Sequence, residues 1–264
     1  MREFVEQRFG LRLRRSSCRT YLHRLGFVLK RPKKRLLKAD EPKREAFVHE
    51  YVALQRQATA TKARIFFVDE AHFYADVDLH AKWVLKGEPA FVESTSPRWG
   101  EKASYYSAVC PATGEVDAMP LEGNSSSETS VAFLKRLRKH YSGPLIIIWD
   151  NGPAHGGDAV RGGALWALRT PGLRLRLVRL PSYSPDFNGG ARWAQAIWRW
   201  IREEVTANVC FGTKARVRAH VDHFFSTIAD RAEEAIQRCR TALQASADAL
   251  TQSEHACYVD PIAV

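Results

Sequence analysis

Residues 145–155 read LIIIWDNGPAH, and residues 64–73 read RIFFVDEAHF. Leu145–Trp149 is a run of five large apolar residues, three of them β-branched, entered through Gly143-Pro144 and left through Asp150 to Pro153. A run that short, bounded by turn residues, is a strand buried on both faces. Ile65-Phe66-Phe67-Val68 reads the same way. Each run delivers a carboxylate where it is expected to stop: Asp69, with Glu70 beside it, and Asp150. In a layered α/β domain, sites assemble at strand ends, because the sheet fixes the backbone while the side chain faces a crevice.

The rest of the chain extends this pattern. Lys82–Leu85, Ala103–Val109 and Glu115–Met119 are further predicted strands, the last entered through the turn Pro111-Ala112-Thr113-Gly114. Ser127–His140, about 157–169 and the segment after Asn188 are predicted helices, with a strand over Leu173–Leu180 between the last two. Strands in a meander followed by alternating helix and strand give an α/β domain with a mixed sheet flanked by helices, set at residues 61–212. Residues 40–58 form a capped amphipathic helix, placed as a linker over 39–60. After 212 the chain is helical, with Val217, Val221, Phe224, Phe225 and Ile228 at core spacing, and residues 213–264 are expected to pack on the catalytic domain.

The charge is lopsided. The 264 residues carry a formal +11, but residues 1–48 hold 15 Lys or Arg against 5 Asp or Glu, which leaves the other 216 residues at +1. A basic arm on a nearly neutral body points to a polyanion. In that arm, Phe4, Val5 and Phe9 mark a helix that Gly10 stops. Ser16 or Ser17 can cap a second helix, with the stripe Cys18, Tyr21, Leu22 and Leu25, before Gly26. Phe27-Val28-Leu29 and the run Lys30–Arg35 complete a helix-turn-helix with a short β wing over residues 1–38. Its candidate DNA-binding residues are Arg12, Arg14, Arg15, Arg19, Arg24, Lys30, Arg31, Lys33, Lys34 and Arg35. A solvated basic hairpin is the plainer alternative. The five cysteines are scattered without a CxxC, so neither a disulfide framework nor a compact zinc motif is expected. No run reaches the ~18–20 apolar residues of a membrane span, and no secretion signal opens the chain, so a cytoplasmic protein without membrane contact is expected.

Carboxylates gathered at strand ends repel one another unless a divalent cation holds them, and Mg²⁺ with oxygen ligands is the usual occupant. The residues alone leave a second reading, acids that merely cap the following turns.

Three ordered motifs resemble those of IS630-type transposases, of the Tc1/mariner-like group: Val68-Asp69-Glu70-Ala71-His72-Phe73, Trp149-Asp150-Asn151-Gly152-Pro153-Ala154-His155, and Leu180-Pro181-Ser182-Tyr183-Ser184-Pro185-Asp186-Phe187-Asn188. The resemblance implies a ribonuclease-H-like catalytic domain of the DDE type with Asp69 and Asp150 as its first two metal ligands. It also implies Mg²⁺ or Mn²⁺ as cofactor, an N-terminal DNA-binding module, and a homodimer on double-stranded DNA. The partners would be an element's terminal inverted repeats and a target site, and the chemistry would be cleavage of element ends followed by strand transfer.

The third acid is missing. The resemblance implies a Glu or Asp on the first turn of the last helix. Counting from Asn188 gives Ala191, while aligning on the helix body gives Gln195, 45 positions after Asp150 and a longer gap than the resemblance implies. Glu203 lies about 12 Å further along a helix, and Glu204 lies on the opposite face. The catalytic set is therefore Asp69, Asp150 and Gln195, with two functions open: an active transposase, or a catalytically impaired, transposase-derived DNA-binding protein. His155 is read either as a neighbour of the metals or as a packing residue, His72 as structural, and Glu70 as pointing away from the face of Asp69.

Overall fold

A computed structural model describes residues 2–29, 40–95, 101–155, 160, 175–181, 189–238 and 247–252, with the side chains of 189–194 excepted. The chain divides into two compact units, Met1–Leu37 and Lys38–Val264.

In the N-terminal unit, α1 spans Arg2–Phe9 and α2 spans Arg15–Arg24. Gly10 and Gly26 close them in the left-handed region, at φ +65° and +82°, where only glycine is free of strain. The N-cap of α2 is Arg14, and no side chain caps it, so neither Ser16 nor Ser17 has the expected capping role. Of the expected stripe only Cys18 is buried, while Tyr21, Leu22 and Leu25 are exposed. Phe27, Val28 and Leu29 are exposed and irregular rather than paired. Lys30, Arg31, Lys33, Lys34 and Arg35 lie outside the described residues.

The larger unit is built on five strands in the order β3-β2-β1-β4-β5. They are β1 (Arg64–Tyr74), β2 (Lys102–Val109), β3 (Val116–Leu121), β4 (Leu145–Trp149) and β5 (Leu175–Arg179). The first three form the antiparallel meander, and β1–β4 and β4–β5 are parallel. Alternation along β1 and β4 divides the core into two layers. On one face Phe66, Val68, Ile147 and Trp149 pack under α4 (Ser127–His140) through Phe133, Leu134 and Leu137. On the other, Phe67, Phe73 and Ile148 meet α3 (Glu41–Thr61), α5 (Gly189–Ile201) and α6 (Lys214–Thr227). A short α7 (Ala232–Arg238) follows. The helix expected as a linker, α3, buries Phe47, Tyr51 and Leu54 in this core. The α4 N-terminus carries a capping box, Ser126 with Thr129.

Two expectations are corrected. β1 does not end at Asp69: it loses β4 after Phe67 but stays paired to β2 as far as Tyr74 opposite Lys102. The ladder on one edge is enough to carry the strand through both acids. Lys82–Leu85 is not a strand. Its residues find no partner strand, and Trp83 and Leu85 stand in solvent. The predicted helix at about 157–169 lies outside the described residues, Val160 excepted.

Candidate active site

The edge that β1 exposes once β4 has ended is where the site forms. Register pairs Phe67 with Ile148 in parallel, so two residues further on, Asp150 leaves β4 beside Asp69 on β1. Asp69 projects toward α5 and Glu70 toward α4, as strand neighbours must. A cleft of about 650 Å³ opens at this edge, lined on one side by Asp69 and Glu70 and on the other by Gln195, Trp198, Arg199 and Arg202. Those four sit at i, i+3, i+4 and i+7 from Gln195, one stripe of α5 continued through a π turn over Arg202–Thr206. The opposite stripe, Ile197, Trp200 and Ile201, is sealed in the core. The structure thus brings Asp69 and Gln195 into one cavity.

The other candidates for a third acid are engaged elsewhere. Glu204 accepts from Arg231 and from the Trp200 indole, which holds its carboxyl down at about 2 against the opposing effect of burial. Glu203 pairs with Arg238 at 3.1 Å. Asp186 is outside the described residues.

Burial, followed by the charges of Glu70 and Asp150, pushes the Asp69 carboxyl up to about 7. A backbone hydrogen bond at Glu70 and the nearby Trp198 indole pull the other way. That indole N–H is buried without a fully formed hydrogen bond. Asp150 is oriented by its own loop, accepting from the Gly152 N–H at 2.7 Å. Asn151 ties the loop to the end of β5, donating to the Leu180 carbonyl at 2.6 Å.

His155 is the residue whose role the sequence left open. It is almost fully buried and stacks on Trp149 with centroids 4.5 Å apart. Its Nε2 lies 3.3 Å from Glu70 and 3.5 Å from Asp150. Its Nδ1 is 3.3 Å from Ser130 Oγ, a hydroxyl that also bonds Tyr106 and the Ala154 carbonyl. The imidazole therefore holds two carboxylates that the fold forces together. Burial alone would raise the Glu70 carboxyl, but the hydrogen bond and charge of His155 and the hydroxyls of Tyr106 and Ser125 bring it below its ordinary range. His72 has a structural bond, Nδ1 to Ser104 Oγ at 2.8 Å.

The donor set suits a hard dication. Asp69 and Asp150 offer carboxylate oxygens, and Asp69 holds its charge only at a cost. Among the described residues no group of three or more His, Cys, Asp or Glu is placed to chelate an ion. A Mg²⁺-like ion would then take two carboxylates and complete its shell with water and phosphate, an arrangement common for that ion.

In the N-terminal unit Arg12, Arg14, Arg15, Arg19 and Arg24 are exposed. Arg15 and Arg19 share a face of α2, one turn apart, and Arg24 falls on the opposite face. Arg12 is paired to Glu6.

A mixed five-stranded sheet in the order β3-β2-β1-β4-β5, flanked by helices, is a ribonuclease-H-like fold. The sequence pattern of the DDE superfamily endonucleases matches residues 64–218, more than half of the chain, and that of a winged helix-turn-helix matches residues 1–51. The chain belongs to the DDE superfamily endonucleases. No curated protein sequence matches it. Among solved structures, the Mos1 mariner paired-end complex with Mg is similar at a TM-score of 0.62 and 15% identity, over 94% of this chain and 74% of that one. The Mos1 strand transfer complex gives 0.60 and 17%, over 90% and 72%. The paired-end complex with Mn gives 0.59 and 17%, over 90% and 74%. At such identities the likeness is one of fold. Among the described residues no helix is long and apolar enough to cross a membrane.

Proposed function

We propose that this protein is a DNA transposase that cuts the ends of its element and joins them to target DNA. The observation that carries the reading is the β1–β4 register, which brings Asp150 alongside Asp69, with Asp69 lining an open cleft. These two residues would hold a divalent cation, Mg²⁺ or Mn²⁺. Such an ion supplies Lewis-acid stabilisation of the attacking and leaving oxygens of a phosphodiester. The chain's own residues do the rest. His155 and the Gly152 N–H keep Asp150 aimed, Trp198 walls Asp69 from water on the helix side, and the cleft admits the backbone of a DNA strand. In the first step water attacks the phosphorus at an element end and the 3′ oxygen leaves as a free hydroxyl. In the second that hydroxyl attacks a target phosphodiester and displaces its 3′ oxygen.

The basic N-terminal unit would grip the element's inverted repeats, through Arg14, Arg15, Arg19 and Arg24 and the run Lys30, Arg31, Lys33, Lys34 and Arg35. Two ends must be joined in one event, and two of the similar Mos1 structures are paired-end complexes, which supports a homodimer on DNA and an action wherever the cell keeps its DNA.

A second reading, a transposase-derived DNA-binding protein impaired in cleavage, is favoured by Gln195. An amide offers a neutral oxygen where a carboxylate would add a negative charge to the ion's shell. Nicking of an element-end duplex with Mg²⁺ or Mn²⁺ decides between them. Cleavage by the native chain that Asp150→Asn abolishes supports the transposase. An inert native chain that Gln195→Glu activates supports the impaired form.

A further inference from the structure

The wall of the cleft that faces the acids is not anionic. Gln195 stands there as a neutral amide, and one turn further on Arg199 is exposed and lines the same cavity. Arg199 has no ion pair or hydrogen bond among the described residues. Its neighbour Arg202 differs. It donates to the His72 carbonyl at 3.4 Å, faces Asp78 at 3.6 Å and lies over the Phe73 ring. One guanidinium is thus tied into the fold, and the other is left facing a cleft whose opposite wall carries Asp69.

Two dications in one site need anionic oxygen on both sides of the reacting phosphate. Here the second side offers an amide and a cation, which repels a second ion and attracts a phosphate. We propose that the site takes one divalent cation, on Asp69 in the cleft and Asp150 beside it, and that Arg199 takes the DNA phosphate on the facing wall, where no second anionic side chain is offered. The inference rests on the nuclease reading above and deepens it. Arg199 can reach a phosphate through two parallel N–H donors, a geometry lysine does not share.

The test counts ions and phosphate contacts separately, on the full chain. Mn²⁺ titration followed by electron paramagnetic resonance, with a short duplex present, is expected to give one tightly held ion per chain, and two in Gln195→Glu. Arg199→Ala is expected to keep that one ion while weakening duplex binding about tenfold at moderate salt. The slope of log Kd against log salt should fall by about 0.9, one phosphate contact. Arg199→Lys should restore the slope but not the full affinity. Arg199 is exposed, so melting curves of both variants should overlay the wild type. Two tight ions in the wild type, or an unchanged slope in Arg199→Ala, overturn this inference and leave the nuclease reading standing. No Mn²⁺ binding at all overturns both.

Discussion

Asp69→Asn should make the metal-free protein more stable at neutral pH. The Asp69 carboxyl is raised from an ordinary 3.8 to about 7 by burial and by its acidic neighbours. Below about pH 4 the group is protonated in both folded and unfolded chains and contributes no difference. As pH rises from about 4 to about 7 the unfolded chain releases the proton and the folded one retains it, so stability falls across that window and levels off above it. Three pH units would amount to about 4 kcal/mol for a sealed group. Asp69 is only partly buried at an open cleft, and solvent screening brings the expected cost to about 2 kcal/mol. For a unit of this size that corresponds to about 4–8 °C in Tm. Thermal melts of wild type and Asp69→Asn by circular dichroism, from about pH 4 to pH 8, read the difference directly. The curves should coincide at the acid end, and the variant should melt higher at the alkaline end. Millimolar Mg²⁺ should raise the wild type toward the variant and leave the variant nearly unmoved. A variant that melts with or below the wild type at pH 8 would refute the reasoning, because Asp69 would then not be held charged at a cost.

Gly152→Ala should abolish metal-dependent cleavage while leaving Tm within about 2 °C, since a Cβ there would sit 2.9 Å from Asp150 Oδ1 and a flexible carboxylate, not the backbone, must move. Gly114→Ala should cost about 3 kcal/mol by urea unfolding: its φ is +72°, and the added Cβ would fall 2.2 Å from the Ala232 carbonyl oxygen, which cannot yield. Ile147→Ala, at a fully buried position of the central parallel strand, should cost about 3–4 kcal/mol in the same assay. Arg15→Ala with Arg19→Ala should lower the salt slope of duplex binding by up to about 1.8 without changing the Mn²⁺ count.

Elements whose own residues determine them could be read from the chain alone. Leu145–Trp149 is continuous apolar sequence between turn residues, and β4 occupies those five positions. Ser127–His140 carries its own cap and stripe, and α4 has those bounds. What the sequence misplaced depends on partners far away in the chain. Asp69 and Glu70 look like a strand end because polar residues interrupt the apolar run. β2 nevertheless pairs with β1 for seven residues beyond Phe67, from Val68 to Tyr74, and backbone hydrogen bonds are indifferent to side-chain polarity. Lys82–Leu85 has strand-like composition, but it pairs with no strand among the described residues, and composition alone cannot supply a partner. His155 could not be ranked from sequence because its position between Glu70 and Asp150 is created by the register and by the stacking on Trp149.

The same distinction explains why Gln195 matters more than its chemistry alone suggests. Residue 195 reaches the cleft because Ile197, Trp200 and Ile201 lock the opposite stripe of α5 into the core, so the helix cannot rotate to offer another side chain. Glu203 and Glu204 lie beyond, held by Arg238 and Arg231, and releasing either would break an ion pair and, for Glu204, the bond to Trp200 as well. The fold therefore gives position 195 a fixed view of Asp69, and among the described residues α5 and the turn after it offer no free acid to take its place. An acid in that place would add a negative charge beside Asp69, which burial and then the charges of Glu70 and Asp150 already push up to about 7. With the amide there, the metal-free site carries less repulsion than a three-carboxylate site would, at the expense of charge for binding a cation. Stability without metal and affinity for metal are set in opposition at this one residue, so Gln195→Glu should lower the first and raise the second together.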